Sequence, residues 1–279
     1  MPATQIGQNL AFINWTVLTG LALGSYAAVV LLHRRTTATP GYLRFTAISA
    51  LAFGLLAWLS DGALPASLGQ SPVVVDPSWD APRRAALGLF CGLVVAGLVA
   101  GRLGPRTSAT IEVAGMAAAA TTLLFGALAW GGGPLGTLAL LVQLVIVSGV
   151  TGGVFAAMIL GHWYLVTPKL PEAPLILLAR ALFGLVVVQV VLFWAWVATG
   201  AGPADVAPFA ALVGPWALFV WLRLIVGLVF PLIVSWAAVQ TAQSRSMESA
   251  TGLLYINVGS IAAGTILAAG LYFGAGLLV

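Results

Sequence analysis

Eight apolar stretches, each long enough to cross a bilayer, occupy most of this 279-residue chain. A membrane-spanning helix needs about 20 predominantly apolar residues. The stretches run 9–33, 42–61, 84–103, 108–130, 135–165, 174–199, 215–243 and 250–278. In hydrocarbon every backbone amide and carbonyl must be satisfied within its own segment, so the expected fold is an all-α polytopic membrane protein. The alternating pattern of a transmembrane β-barrel is absent. Charged residues make up 6% of the chain, against about 25% in soluble domains. A soluble enzyme would have almost nothing to present to water. Disorder is excluded by the 61% hydrophobic content. The 11 Lys and Arg residues are scattered rather than clustered, which argues against nucleic acid. The implied partner is the lipid bilayer.

The connections set the expected orientation. Arg34, Arg35, Arg44, Arg102, Arg106, Lys169, Arg180 and Arg245 fall in or beside the odd-numbered links; Arg83 and Arg84 lie on the other side. The positive-inside rule then makes the odd links cytoplasmic and puts both termini outside. Residues 1–8 carry no basic region, so the first stretch reads as a retained helix rather than a cleaved signal. Short loops and high hydrophobicity suit a prokaryotic cytoplasmic membrane. The longest polar segment, Gly62 to Pro82, is expected outside and is too short for a domain. Trp163 and Tyr164 are expected in an inner interfacial belt.

The chain also repeats itself. At an offset of 129, Asn14, Gly20, Gly24, Ala27, Ala28 and His33 fall on Gln143, Gly149, Gly153, Ala156, Ala157 and His162. Arg44 and Trp58 match Arg180 and Trp194 at 136, and Arg84, Gly88, Leu89 and Leu93 match Arg223, Gly227, Leu228 and Leu232 at 139. Ser108, Ala109 and Thr110 match Ser249, Ala250 and Thr251 at 141. The offset grows only in connections, as it does when loops lengthen between true repeats. The reading is two tandem, parallel four-helix repeats, 1–132 and 133–279, because an even number of helices preserves orientation. Gly20-xxx-Gly24 and Gly149-xxx-Gly153 are expected as close helix-packing seams.

Scarce polar residues carry the functional expectations. His33 and His162 are the only histidines and hold equivalent positions toward the cytoplasmic end, with Arg44 and Arg180 opening the next helices. Two imidazoles suit the axial ligands of a b-type haem, with the arginines on its propionates. Alternatively, His and Arg could bind and protonate a quinone headgroup. A histidine there can also simply rest among headgroups. His33 stands about 220° around its helix from Gly20, so the two imidazoles cannot meet if the glycine seam joins the repeats. Arg84 and Arg223 form a second pair suited to an anionic solute or to salt bridges with Asp61, Asp76 or Asp80; Arg223, deep in its span, is the stronger candidate. Glu112 could pass protons or pair with Arg44, but its repeat counterpart is Leu253. Pro231 interrupts the seventh span. Asn14, Gln143, Gln189 and Asn257 read as interhelical hydrogen-bonding amides.

Cys91 is the single cysteine, which rules out an internal disulfide and a Cys-ligated cluster. No Walker A, HExxH or GxSxG motif occurs. The leading expectation is an integral membrane electron-transfer subunit binding haem b or a quinone near the cytoplasmic face, working with other redox or membrane subunits. In helix count and four-plus-four layout the chain resembles quinone-reactive membrane anchors of the NrfD type, although it matches none of their motifs; the resemblance implies electron exchange with a partner subunit. The alternatives are a transporter or channel with Arg84 and Arg223 along a path between the repeats, and a structural subunit of a larger membrane complex.

Overall fold

The computed structural model describes residues 1–100, 105–167 and 170–279. Arg102 and Lys169, both invoked for orientation, lie outside the described residues. Among the described residues eight helices are long and apolar enough to cross a membrane: Leu10–Arg35, Pro40–Asp61, Pro77–Ala100, Arg106–Trp130, Pro134–Val166, Ala173–Thr199, Ala217–Gln243 and Met247–Ala275, called here the first to eighth spans. No strand occurs among the described residues. Pro40, Pro134 and Pro174 stand in the first turns of their helices, where the missing N–H breaks no helical bond. Gly200 and Gly276 end the sixth and eighth spans at φ 67° and 68°, a left-handed conformation that L side chains disfavour. A short helix, Pro2–Gln8, precedes the first span and was not expected; its Ile6 lies against Gly270 and Gly274 of the eighth.

The first and fifth spans form the centre. Some 72% and 56% of their apolar stretches are buried, against 28–44% for the other six. They run parallel and touch through small residues: a Cβ on Gly24 would come 1.9 Å from the Ser148 carbonyl oxygen, and one on Gly152 would meet the Gly24 backbone at 2.4–2.5 Å. Only Gly–Gly permits this approach. The register differs from the expected seam. Gly24 opposes Gly152 rather than Gly153, around whose Cβ position space is open, and Gly149 faces Leu185 of the sixth span.

Around this axis the first span packs on the second and the third on the fourth, while the fifth packs on the sixth and the seventh on the eighth. The fourth span also lies on the fifth, and the eighth on the first. One pairing departs from this correspondence. The fifth and eighth spans pack with their backbones close along much of their length, whereas the first and fourth stand further apart and meet through side chains. Gly161 permits the former contact, since a Cβ there would stand 2.7 Å from the Thr251 hydroxyl. Leu32 occupies the matching sequence position in the first half. The gap left between the first and fourth spans positions the site described below.

Tyr164 and Trp163, near the end of the fifth span, both pack against the protein. Tyr164 is buried and donates its hydroxyl to the Pro171 carbonyl, while Trp163 covers Gly41 and Phe45. At the opposite end the Gly62–Pro82 segment folds back, with the Asp76 amide bonded to the Ala129 carbonyl at 2.8 Å. The Ser78 hydroxyl and amide both donate to the Asp76 carboxylate and hold its pKa below the ordinary carboxylate value.

Candidate functional site

The space between the first and fourth spans is a cavity of about 370 Å³ at the arginine-rich end of the molecule. Tyr26, Val29 and His33 line it from the first span, Leu43, Arg44 and Ala47 from the second, Val94 and Leu98 from the third, and Ser108 and Glu112 from the fourth. Tyr26, Val29 and His33 share one face of their helix because steps of three and four residues close a turn. Its walls are apolar at Leu43 and Ala47 of the second span and at Val94 and Leu98 of the third, with His33, Arg44, Ser108 and Glu112 as polar groups.

Glu112 organises that mouth. Its Oε1 lies 2.5 Å from His33 Nδ1, and its Oε2 accepts from Arg34 Nε at 3.2 Å. Arg34 also donates to the Ala109 carbonyl at 3.2 Å. A carboxylate on Nδ1 fixes the imidazole's orientation and leaves Nε2 as the nitrogen free to exchange a proton. Arg44 lines the same cavity and makes no ion pair among the described residues. Glu112 therefore pairs with His33 and Arg34, not with Arg44. The signal that could have ranked it higher is position: of the 7 acids it alone stands more than two residues inside a described helix.

The second half builds no counterpart. His162 is exposed, with Nδ1 3.2 Å from the Tyr255 hydroxyl of the eighth span. Arg180 reaches the side-chain oxygen of Gln243 at 2.8 Å. His33, nine residues after Gly24, points about 180° away from the fifth span. The two imidazoles are thus engaged by different helices and do not converge. The residues do not fit a haem held between His33 and His162, nor arginines shared around its propionates. Among the described residues no group of three His, Cys, Asp or Glu side chains could hold a metal ion.

Arg84 and Arg223 are not brought together either. Arg84 lies over the Trp58 ring, 4.6 Å from its centroid. Arg223 is buried and meets backbone oxygens: Nη1 donates to Gly227 at 3.1 Å and Nε to Val279 at 3.4 Å. The Gly227 carbonyl is the one that the N–H of residue 231 would take in an α-helix, and residue 231 is proline. A π-helical turn, Ile225–Val229, precedes it. Pro231 has no N–H to offer that carbonyl, and Arg223 donates to it. Close approach of Gly227 and Gly264 gives the guanidinium room, its Nη1 standing 2.9–3.0 Å from the Cβ position of either. Between the halves, the first and fifth spans meet backbone to backbone at Gly24 and Gly152.

The arginine that the sequence reading passed over is Arg83. It is buried with Asp61, donating from Nε and Nη2 at 2.7 and 3.3 Å, and reaches Asp80 at 2.9 Å. Trp15 Nε1 donates to the same Asp61 at 2.8 Å, and the Trp130 ring centroid stands 4.7 Å from the guanidinium carbon. This fully paired group ties the first four spans together at the end opposite the cavity. Asp61 and Asp80 thus serve Arg83, not Arg84 or Arg223.

Compared with models of known protein families and with curated proteins, the chain matches none.

Proposed function

We propose that the chain is an integral membrane electron-transfer subunit whose first half receives a quinone near the cytoplasmic face. The observation carrying this reading is the convergence of His33, Arg44 and Glu112 on one cavity with apolar walls. Small-molecule sites are largely apolar pockets with a few convergent polar groups. A quinone bound there supplies two-electron, two-proton carrier chemistry. Arg44 hydrogen-bonds a ring oxygen with a charged donor. His33 offers Nε2 to a ring oxygen as a hydrogen-bonding and proton-transfer group. Glu112 keeps the ring aimed and, with Arg34, connects it to water at the mouth. Electrons arrive from or leave to a partner redox subunit at this end of the molecule.

A shared histidine pair for haem b is not part of this reading, because the imidazoles face different helices. The test is an equilibrium titration of purified protein in mild detergent with decylubiquinone, followed by tryptophan fluorescence quenching. One saturable site per chain, weakened at least tenfold by Arg44→Ala and unchanged by Arg180→Ala, is the expected result. Partition into detergent with no saturable component overturns the proposal.

A further inference from the structure

We propose that Tyr26 is a substrate-binding residue at the inner end of this cavity, donating its phenolic hydrogen to an oxygen of the bound ring. The inference rests on the quinone reading and adds a contact and an orientation to it. Tyr26 is 4% exposed, with its hydroxyl against Gly115 of the fourth span, one turn inward of Glu112. It stands seven residues before His33 on the same helix face, about 10 Å deeper along the axis. Among the described residues the hydroxyl has no hydrogen-bond partner, yet it lines the cavity. A phenolic O–H that faces the cavity with no partner in the protein is available as a donor to a molecule that occupies it.

The surrounding residues hold the phenol in this place. Its ring meets Phe90 edge-on, with centroids 5.3 Å apart and planes at 89°. On the fourth span a Cβ on Gly115 would fall 2.6 Å from the hydroxyl oxygen. Any side chain there would displace the phenol, so the glycine keeps it in position. Glu112 lies one turn before Gly115, so a single helix both orients His33 at the mouth and makes room for Tyr26 below it. The cavity thus offers hydrogen-bonding groups at two levels, one turn apart on the fourth span, within apolar walls of Leu43, Ala47, Val94 and Leu98. That arrangement recognises a flat apolar ring with oxygen acceptors at separated positions, inserted edge-first. A ligand with one polar head and a plain hydrocarbon tail would leave Tyr26 unmatched.

The experiment compares wild type, Tyr26→Phe and Gly115→Ala by decylubiquinone titration, with thermal unfolding of each protein without ligand. Tyr26→Phe keeps the ring and its Phe90 contact and removes only the hydroxyl. It is expected to weaken binding about three- to tenfold, the worth of one neutral hydrogen bond. Its unliganded Tm is expected to equal or exceed that of wild type, because no protein partner is lost. Gly115→Ala is expected to weaken binding by displacing the phenol, and Tyr255→Phe in the other half to leave it unchanged. Wild-type affinity in Tyr26→Phe would overturn the inference while leaving the quinone reading in place. A drop in unliganded Tm would also overturn it, by assigning the hydroxyl a partner within the protein. No binding by wild type would overturn both readings.

Discussion

Glu112 and Arg83 show how much a single side chain decides. Each ties helices together through its charge, and beside Arg83 the chain offers a neighbouring candidate, Arg84, that does not. Glu112→Gln removes the charge that aims His33 and anchors Arg34. We expect quinone reduction to slow and its pH dependence to change, while affinity through Arg44 falls by less than in Arg44→Ala; steady-state rates across pH 5–9 check this. At the other end, Arg83→Met leaves Asp61 buried without its cation and should cost about 3–5 kcal/mol, whereas the Asp61→Leu/Arg83→Met pair should recover much of the loss. Thermal unfolding in detergent measures both. The sequence reading located the arginine pair but selected Arg84 by repeat matching. Adjacent residues differ by only 100° around a helix, and packing against Trp15 and Trp130 chose Arg83. Glu112 was ranked low because its counterpart is Leu253, yet lack of symmetry is what distinguishes the half that contains the cavity.

Helices are the scale at which sequence speaks most clearly here. All eight spans were legible because a bilayer demands about 20 apolar residues, whatever their order. Which faces touch was not legible, since Ala, Gly and Leu recur on every face. Gly24 and Gly153 make the point: matched in sequence at the offset of 129, they have opposite surroundings. Gly24→Ala should destabilise by at least the top of the usual overpacking range, about 3 kcal/mol, because its neighbour is backbone. Gly153→Ala should be neutral or slightly stabilising through helix propensity, about 0.5–1 kcal/mol. In the seventh span Arg223 and Pro231 should couple. Arg223→Met should cost about 1–3 kcal/mol by orphaning the Gly227 carbonyl. The loss should shrink when Pro231→Ala restores an N–H to the helix, a non-additivity that a double-mutant cycle reads directly.

Across the whole molecule, one half is closed between its first and last helices and the other is open. Gly161 against Thr251 accompanies the closed arrangement, and the open one leaves space between His33, Glu112 and Tyr26. Matching histidines and arginines suggested a function shared across the two halves; the structure instead gives their residues different neighbours. The proposed orientation puts the cavity mouth on the cytoplasmic side. Because Cys91 is buried, replacing it with Ala permits single-cysteine mapping. Thr37→Cys should react with a membrane-impermeant maleimide only in inverted vesicles, and Ser67→Cys only in right-side-out cells. The account's central claim is that the cavity of the first half is the quinone site. Its most direct test is decylubiquinone affinity in His33→Ala beside His162→Ala. The account predicts at least a tenfold loss for His33→Ala and wild-type affinity for His162→Ala; equal losses in both variants, or none in either, would contradict it.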